Sequence, residues 1–200
     1  MAGPPGEIDD AAIPIDPAEA DDLIPEHLTT RSELNQWEAR NIAHAREWLA
    51  GRRRFDPLSD GDLAELHKQM FGATWKWAGR YRHTDRNVSP YRWTQVPVLV
   101  RELLANTKEQ YRRNDKSPDA LCDIAMRFHH QLVRIHPWPN GNGRHAREAT
   151  DALLQAWGLP PFTWGGSDLV TYGDVRQRYI AALRAADGQD YGPLRAFLRR

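Results

Sequence analysis

Residues 136–147 read His-Pro-Trp-Pro-Asn-Gly-Asn-Gly-Arg-His-Ala-Arg. A histidine stands just ahead of a glycine-punctuated turn, and two arginines, Arg144 and Arg147, follow three residues apart. These types suit an anion. Gly141 and Gly143 let backbone amides approach a phosphate with no Cβ in the way. Guanidinium groups grip phosphate oxygens in a forked geometry. An imidazole, whose ordinary pKa lies close to neutrality, can take a proton beside them. A nucleotide phosphate chain is the polyanion that this stretch fits best. The competing reading is a tight interhelical turn with a structural histidine. It does not account for two glycines, an Asn and two arginines together.

Two helices are expected to position these groups. From Arg144 to Trp157 the apolar residues Ala149, Leu153, Leu154 and Trp157 recur at helical spacing. Asn142 is the expected N-cap, and Gly158 with Pro160 and Pro161 ends the run. The glycines then lie at a helix N-terminus, where amides without intrahelical partners and the positive dipole end attract anions. Ahead of the turn, residues 125–135 also read as helix, with Ile124, Phe128, Leu132 and Ile135 on one side and Pro137 as the stop. His136 is therefore expected at the end of one helix, facing the start of the next.

Residues 136–147 resemble the signature of the Fic family, His-Pro-Phe-x-Asp/Glu-Gly-Asn-Gly-Arg-x-x-Arg. The resemblance implies an all-α fold and, most often, transfer of AMP from ATP to a protein hydroxyl. Other branches of the family transfer phosphate or other phosphate-linked groups. By resemblance, His136 is the base that takes the proton from the target hydroxyl, and Asn142 contacts the α-phosphate. Gly141 and Gly143 form the anion nest, and Arg144 clamps the outer phosphates. Arg147 is the second arginine, which binds the γ-phosphate or an inhibitory glutamate. Two positions depart from the pattern. Trp138 replaces Phe and is expected to anchor the turn in the core. Asn140 replaces the acid that holds Mg²⁺ in the family. A neutral amide is a weaker magnesium ligand than a carboxylate, and the ion can be held largely by phosphates and water.

The stretch from Met70 to Arg82 resembles the family segment leading into its substrate flap. Residues 79–96 lack helical periodicity and carry Asn87, Ser89 and Pro90, so a loop or short β-hairpin is expected there. In the family such a flap pairs with the backbone of the target protein. The N-terminal segment, with Leu23-Ile24-Pro25 and then Glu33 to Glu38, resembles the Fic subgroup called mobile mystery protein B. Members of that subgroup commonly carry Asn at the acidic position and are associated with a helix-turn-helix protein partner.

The rest of the chain sets bounds. At 200 residues, with 40% hydrophobic residues and 8 Trp, one domain with a real core is expected. Residues 1–28, rich in Pro, Gly and Asp, read as an N-terminal arm, and 29–200 as the helical domain. Eight of the 27 acids lie in residues 1–27, which hold no Lys or Arg. Nineteen acids thus face all 27 bases in the remainder, a net of +8. A basic body suits phosphate-bearing ligands. No recognised nucleic-acid motif appears, so nucleic acid is not the expected partner. Cys122 is alone, no apolar stretch approaches a membrane span, and the N-terminus lacks a signal-peptide pattern. A cytoplasmic location is the simple expectation.

A first helix is expected from Thr30, where Thr30 and Glu33 form a capping box, to Gly51, with Leu34, Trp37, Ile42, Ala45 and Trp48 as its apolar stripe. Others are expected at about 59–71, 94–111, from Ser117-Pro118, at 168–187 and at 190–198. His129 and His130, with His136 and His145, raise a metal centre. No metal-ligand spacing links them, and Arg144 and Arg147 would repel a cation. His129 reads as a core histidine, and His145 as either a phosphate contact or exposed. Glu38 is weighed as an inhibitory glutamate for Arg147 against a plain solvent-exposed one. Asp151 is placed to orient Arg147, and Tyr191 and Arg195 to approach the nucleotide base. Taken together, an all-α chain with a hairpin flap is expected to act as a protein adenylyltransferase with ATP as donor, toxin-like and regulated. γ-Phosphate or other nucleotide-moiety transfer, and a nucleotide sensor, are the rivals.

Overall fold

A computed structural model describes residues 21–166 and 174–199. Seven α-helices occur among them: α1 Arg31–Gly51, α2 Asp60–Phe71, α3 Val96–Arg113, α4 Pro118–Ile135, α5 Asn142–Ala156, α6 Asp174–Asp187 and α7 Gly192–Leu198. Two short 3₁₀ turns, Trp93–Gln95 and Trp164–Gly166, complete the regular structure. Among the described residues Leu23 and Trp75 form an isolated antiparallel bridge, and no strand occurs. The all-α expectation holds. No helix among the described residues is long and apolar enough to cross a membrane.

Backbone proximity groups the described residues into two compact units, one within residues 1–53 and 65–79, the other within 54–64 and 80–200. In the first unit α1 begins with the expected capping box. Thr30 Oγ1 accepts the Glu33 N–H at 3.3 Å, and Glu33 Oε2 accepts the Thr30 N–H at 3.1 Å. The buried stripe of α1 is Leu34, Glu38, Ile42 and Ala45. Trp37 and Trp48, expected on that stripe, sit half-buried at its edges, with Arg40 and Arg52 over their ring faces. An acid takes the place of an aromatic because it has a buried donor to meet: Trp75 Nε1 donates to Glu38 Oε1 at 2.7 Å. The exposed reading of Glu38 is thereby corrected. Residues 22–24 run beside 74–76, with Ile24 N–H donating to Thr74 O and Lys76 N–H to Asp22 O. The arm's Leu23 is packed while Ile24 is 46% exposed.

In the second unit α4 is the central helix, packed against α3, α5 and α7. Ser117 Oγ accepts the Ala120 N–H and Pro118 opens the helix, as its sequence implied. Leu121, Ile124, Phe128, Leu132 and Ile135 are buried along it, together with His129 and His130. A second apolar cluster joins Met126 to Tyr179, Ala182, Ala186, Tyr191, Leu194, Phe197 and Leu198. The start expected for α6, at Asp168, lies outside the described residues.

The hairpin expected at 79–96 is absent. Residues 80–92 carry no strand and lead into the 3₁₀ turn ahead of α3. An isolated two-stranded hairpin is marginal in water without further strands. Here side chains replace the cross-strand ladder. Arg82 donates to the carbonyls of Thr84 and Tyr91, and Ser89 Oγ accepts the Tyr91 N–H.

Removing the α1 cap tests this local reading. Thr30→Ala is expected to cost about 1 kcal/mol of stability, the usual value of an N-cap hydroxyl, measured as a lowered urea midpoint.

Candidate active site

The turn between α4 and α5 is built from inside outward. Trp138 is 1% exposed, stacked on Tyr81 with centroids 4.9 Å apart and edge-on to His145. Its indole N–H donates to His145 Nδ1 at 3.1 Å, and His145 Nε2 donates to the Leu63 carbonyl at 2.9 Å. His145 is therefore a single tautomer locked in the core, neither exposed nor a phosphate contact. Burial pushes its pKa down to about 4. Trp in place of Phe anchors the turn as expected, and its N–H explains why a buried imidazole follows it.

Asn142 is not the N-cap. Its side chain turns back on Trp138, with Oδ1 accepting the Trp138 N–H at 2.9 Å and Nδ2 donating to the Trp138 carbonyl at 2.8 Å. A carboxamide matches both the N–H and the C=O of one residue, so Asn142 staples the turn shut. Gly141 takes the cap position at φ 77°, a left-handed conformation for which glycine is suited. The first intrahelical bond of α5 runs from the His145 N–H to the Gly141 carbonyl. The amides of Asn142, Gly143 and Arg144 precede it, at the positive end of the helix. A Cβ added at Gly143 would meet no protein atom within 4 Å, so packing does not require glycine there and the space above it is open.

Arg144 and Arg147 occupy the first turns of α5, both half-buried. Burial lowers the pKa of Arg147, and the charge of Arg144 adds to that effect. Arg147 hydrogen-bonds Tyr179, whose Oη lies 2.8 Å from His129 Nε2. The donors settle the chain. The guanidinium can only donate, so the tyrosine accepts from it and gives its own hydrogen to His129 Nε2. His129 is then protonated at Nδ1, toward the Ala146 carbonyl. It is 0% exposed, and burial pulls its pKa down to about 3, in keeping with its expected place as a core histidine. Asp151, expected to orient Arg147, accepts instead from the Phe162 N–H and Trp164 Nε1.

His136 closes α4 at φ 55°, ψ 60°, in the left-handed region that a non-glycine residue seldom occupies. Its ring hydrogen-bonds the Val133 carbonyl. Burial, with smaller contributions from the Arg82 and Arg86 cations, lowers its pKa to about 4. The imidazole is neutral at physiological pH and able to accept a proton. Arg82 itself is 2% exposed and donates from Nε to the His136 carbonyl at 2.8 Å.

The expected site residues His136, Gly141, Asn142, Gly143, Arg144 and Arg147 thus share one helix–turn–helix junction. Tyr191 and Arg195 do not join them. Tyr191 is buried with its Oη 3.1 Å from His130 Nδ1, and Arg195 pairs with Asp123. Arg82, Ser89 and Tyr179 escaped sequence reading, because each acts through partners far along the chain. Asn140 fits a magnesium ligand poorly. Its Oδ1 already accepts the Gly141 N–H at 2.7 Å, and it brings no charge. No group of three His, Cys, Asp or Glu suited to a metal occurs among the described residues.

Residues 57–154, which contain this junction, match the model of the Fic/DOC family. The chain belongs to the Fic/DOC family. Its Fic/DOC fold superimposes on the crystal structure of BepC from Bartonella tribocorum with bound AMPPNP, with a TM-score of 0.68 at 17% identity, covering 92% of this chain and 96% of that one. The protein adenylyltransferase Fic of Nematostella vectensis is 31% identical over 155 residues, 74% of this chain and 33% of that protein. The protein adenylyltransferase fic-1 of Caenorhabditis elegans is 32% identical over 151 residues, 74% of this chain and 27% of that protein. The chain thus spans about a third or less of these relatives' lengths.

The buried imidazoles make stability depend on pH. His129, His136 and His145 have folded pKa values of about 3, about 4 and about 4, below the ordinary 6.5. The unfolded chain takes up protons that the folded one refuses, so the stability is present above pH 6.5 and is lost as pH falls toward about 4. Urea midpoints are expected to fall through that window. A flat profile there would contradict the neutral, buried assignment.

Proposed function

We propose that this chain is a protein adenylyltransferase that moves AMP from ATP to a Ser, Thr or Tyr hydroxyl of a target protein. The observation that carries this reading is a neutral imidazole at His136 beside the open, positive N-terminus of α5, with Arg144 and Arg147 in its first turns. The named activity of the relatives supports it.

The chemistry needs three things from the chain. His136 accepts the proton of the attacking hydroxyl as the bond from its oxygen to the α-phosphorus forms. The bond from that phosphorus to the bridging oxygen breaks, and pyrophosphate leaves. The amides at 142–144, Arg144 and Arg147 hold the phosphate oxygens in place and stabilise the charge that shifts onto them, an electrostatic role that preorganised donors fill well. Asn142 serves mainly by keeping those amides rigid, with its own backbone N–H among them. The loop at 80–92 is the place where the target's backbone would dock. Control by a helix-turn-helix partner, in a toxin-like arrangement, is part of the same proposal and rests on the N-terminal resemblance alone.

Incubation with ATP labelled separately at the α- and γ-phosphates tests this directly. Label from the α-position is expected in protein, and His136→Ala is expected to reduce it by about 10²–10⁴-fold, the usual worth of a general base. Label from the γ-position alone would replace the reading with phosphate transfer. Nucleotide binding without any transfer would leave a sensor.

Restoring the missing acid probes the metal separately. Asn140→Asp adds a charged oxygen ligand and is expected to tighten Mg²⁺ binding and raise the transfer rate. Calorimetric Mg²⁺ titration in the presence of ADP, alongside the rate, measures both.

A further inference from the structure

Arg82 is a buried cation with an unusual set of partners. It is 2% exposed, and the nearest carboxylate, Asp85, is 3.8 Å away and largely exposed. Its guanidinium instead donates to main-chain carbonyls. Nε reaches His136 O at 2.8 Å, Nη1 reaches Thr84 O at 2.9 Å, and Nη2 reaches Tyr91 O at 2.8 Å and Ile135 O at 3.4 Å. The Arg82 backbone N–H donates to Pro137 O at 2.8 Å. One residue therefore takes up three successive carbonyls, 135 to 137, at the point where α4 ends.

Those carbonyls are a particular problem here. The last carbonyls of a helix have no intrahelical donor and carry the negative end of its dipole. The chain then passes through the left-handed His136, a conformation that persists only when its surroundings over-determine it. Arg82 does this by fixing the carbonyl on each side of the strained residue and its own carbonyl as well. Ser89 Oγ adds a second tie, sharing its single hydrogen between the carbonyls of Arg134 and Ile135, 3.0 and 3.1 Å away. Both ties come from the 80–92 loop.

We propose that Arg82 is a positioning residue for His136, clamping the loop to the end of α4 so that the imidazole is held in its left-handed, proton-accepting pose. The role rests on the adenylyltransferase reading for its rate effect, but not for its geometric one. Arg82 is 2% exposed and its guanidinium is taken up by backbone carbonyls, which sets it apart from the groups that react. It acts through the carbonyls of residues 135–137. It also explains why an arginine stands here. Diverging carbonyls need a planar fork of five N–H donors, which a lysine ammonium cannot match. A consequence is that anything moving the 80–92 loop, including a docked target, moves the support of the base.

The test uses Arg82→Gln, Arg82→Lys, Ser89→Ala and, as a charge-only control, the exposed Arg86→Gln. Imidazole NMR follows His136, calorimetry follows ADP affinity, and labelled ATP gives kcat and KM. Arg82→Gln is expected to lower kcat by about 100-fold with KM for ATP and ADP affinity little changed, since misplacing a group by about 1 Å costs on that order. Arg82→Lys keeps the charge and is expected to lose most of the same rate. Ser89→Ala is expected to lose less. In both Arg82 variants the His136 resonances should shift or broaden. Arg86→Gln should raise the His136 titration midpoint without broadening the His136 resonances. Arg82→Lys with unchanged His136 resonances and kcat overturns the proposal, even if Arg82→Gln fails to fold. Wild type without any transfer sinks the adenylyltransferase reading instead, and the His136 spectra of the variants still decide the clamp.

Discussion

The site depends on one sharp turn that must also be rigid. Between the last residue of α4 and the first of α5 the chain reverses through His136 and Gly141, both at positive φ. Only one of them is a glycine. The strain is held by the two hydrogen bonds that Asn142 makes to the Trp138 backbone N–H and C=O, and Trp138 is itself seated between Tyr81 and His145. Because the turn is locked from its buried side, its outer side can stay open. The amides of 142–144 are held in place by the Asn142 side chain, which bonds inward to Trp138.

A second constraint is electrostatic. Buried cations and buried imidazoles are both costly unless hydrogen-bonded. The molecule keeps its buried histidines neutral and its cations on strong acceptors. His145 sits between an indole N–H and a carbonyl, and His129 between a tyrosine hydroxyl and a carbonyl. Arg82 lies among carbonyls, and Arg147 rests on Tyr179, whose own pKa burial pushes up to about 12. The chain from Arg147 to His129 orients an arginine of the signature using α6, a helix remote from it in sequence.

Much of this was readable from local patterns. The Thr30–Glu33 capping box, the Ser117–Pro118 helix start and the left-handed Gly158 after α5 follow from side chains acting on backbone a few residues away. The hairpin did not form because Arg82 and Ser89 reach out of the loop to α4, 45 to 54 residues away, instead of leaving a cross-strand ladder. Trp37 and Trp48 fell to the edge of their stripe because Trp75, 37 residues from Glu38, made an acid the better buried neighbour.

By itself the sequence determined the helices, the order of the signature groups and the chemistry they can perform, since propensity, capping and residue type are local properties. Tertiary structure decided what each polar group is for. His145 answers to Leu63 across 82 residues, and His129 to Tyr179 across 50. A buried donor or acceptor must find a partner wherever the fold supplies one, and periodicity along the chain carries no record of which distant carbonyl that will be.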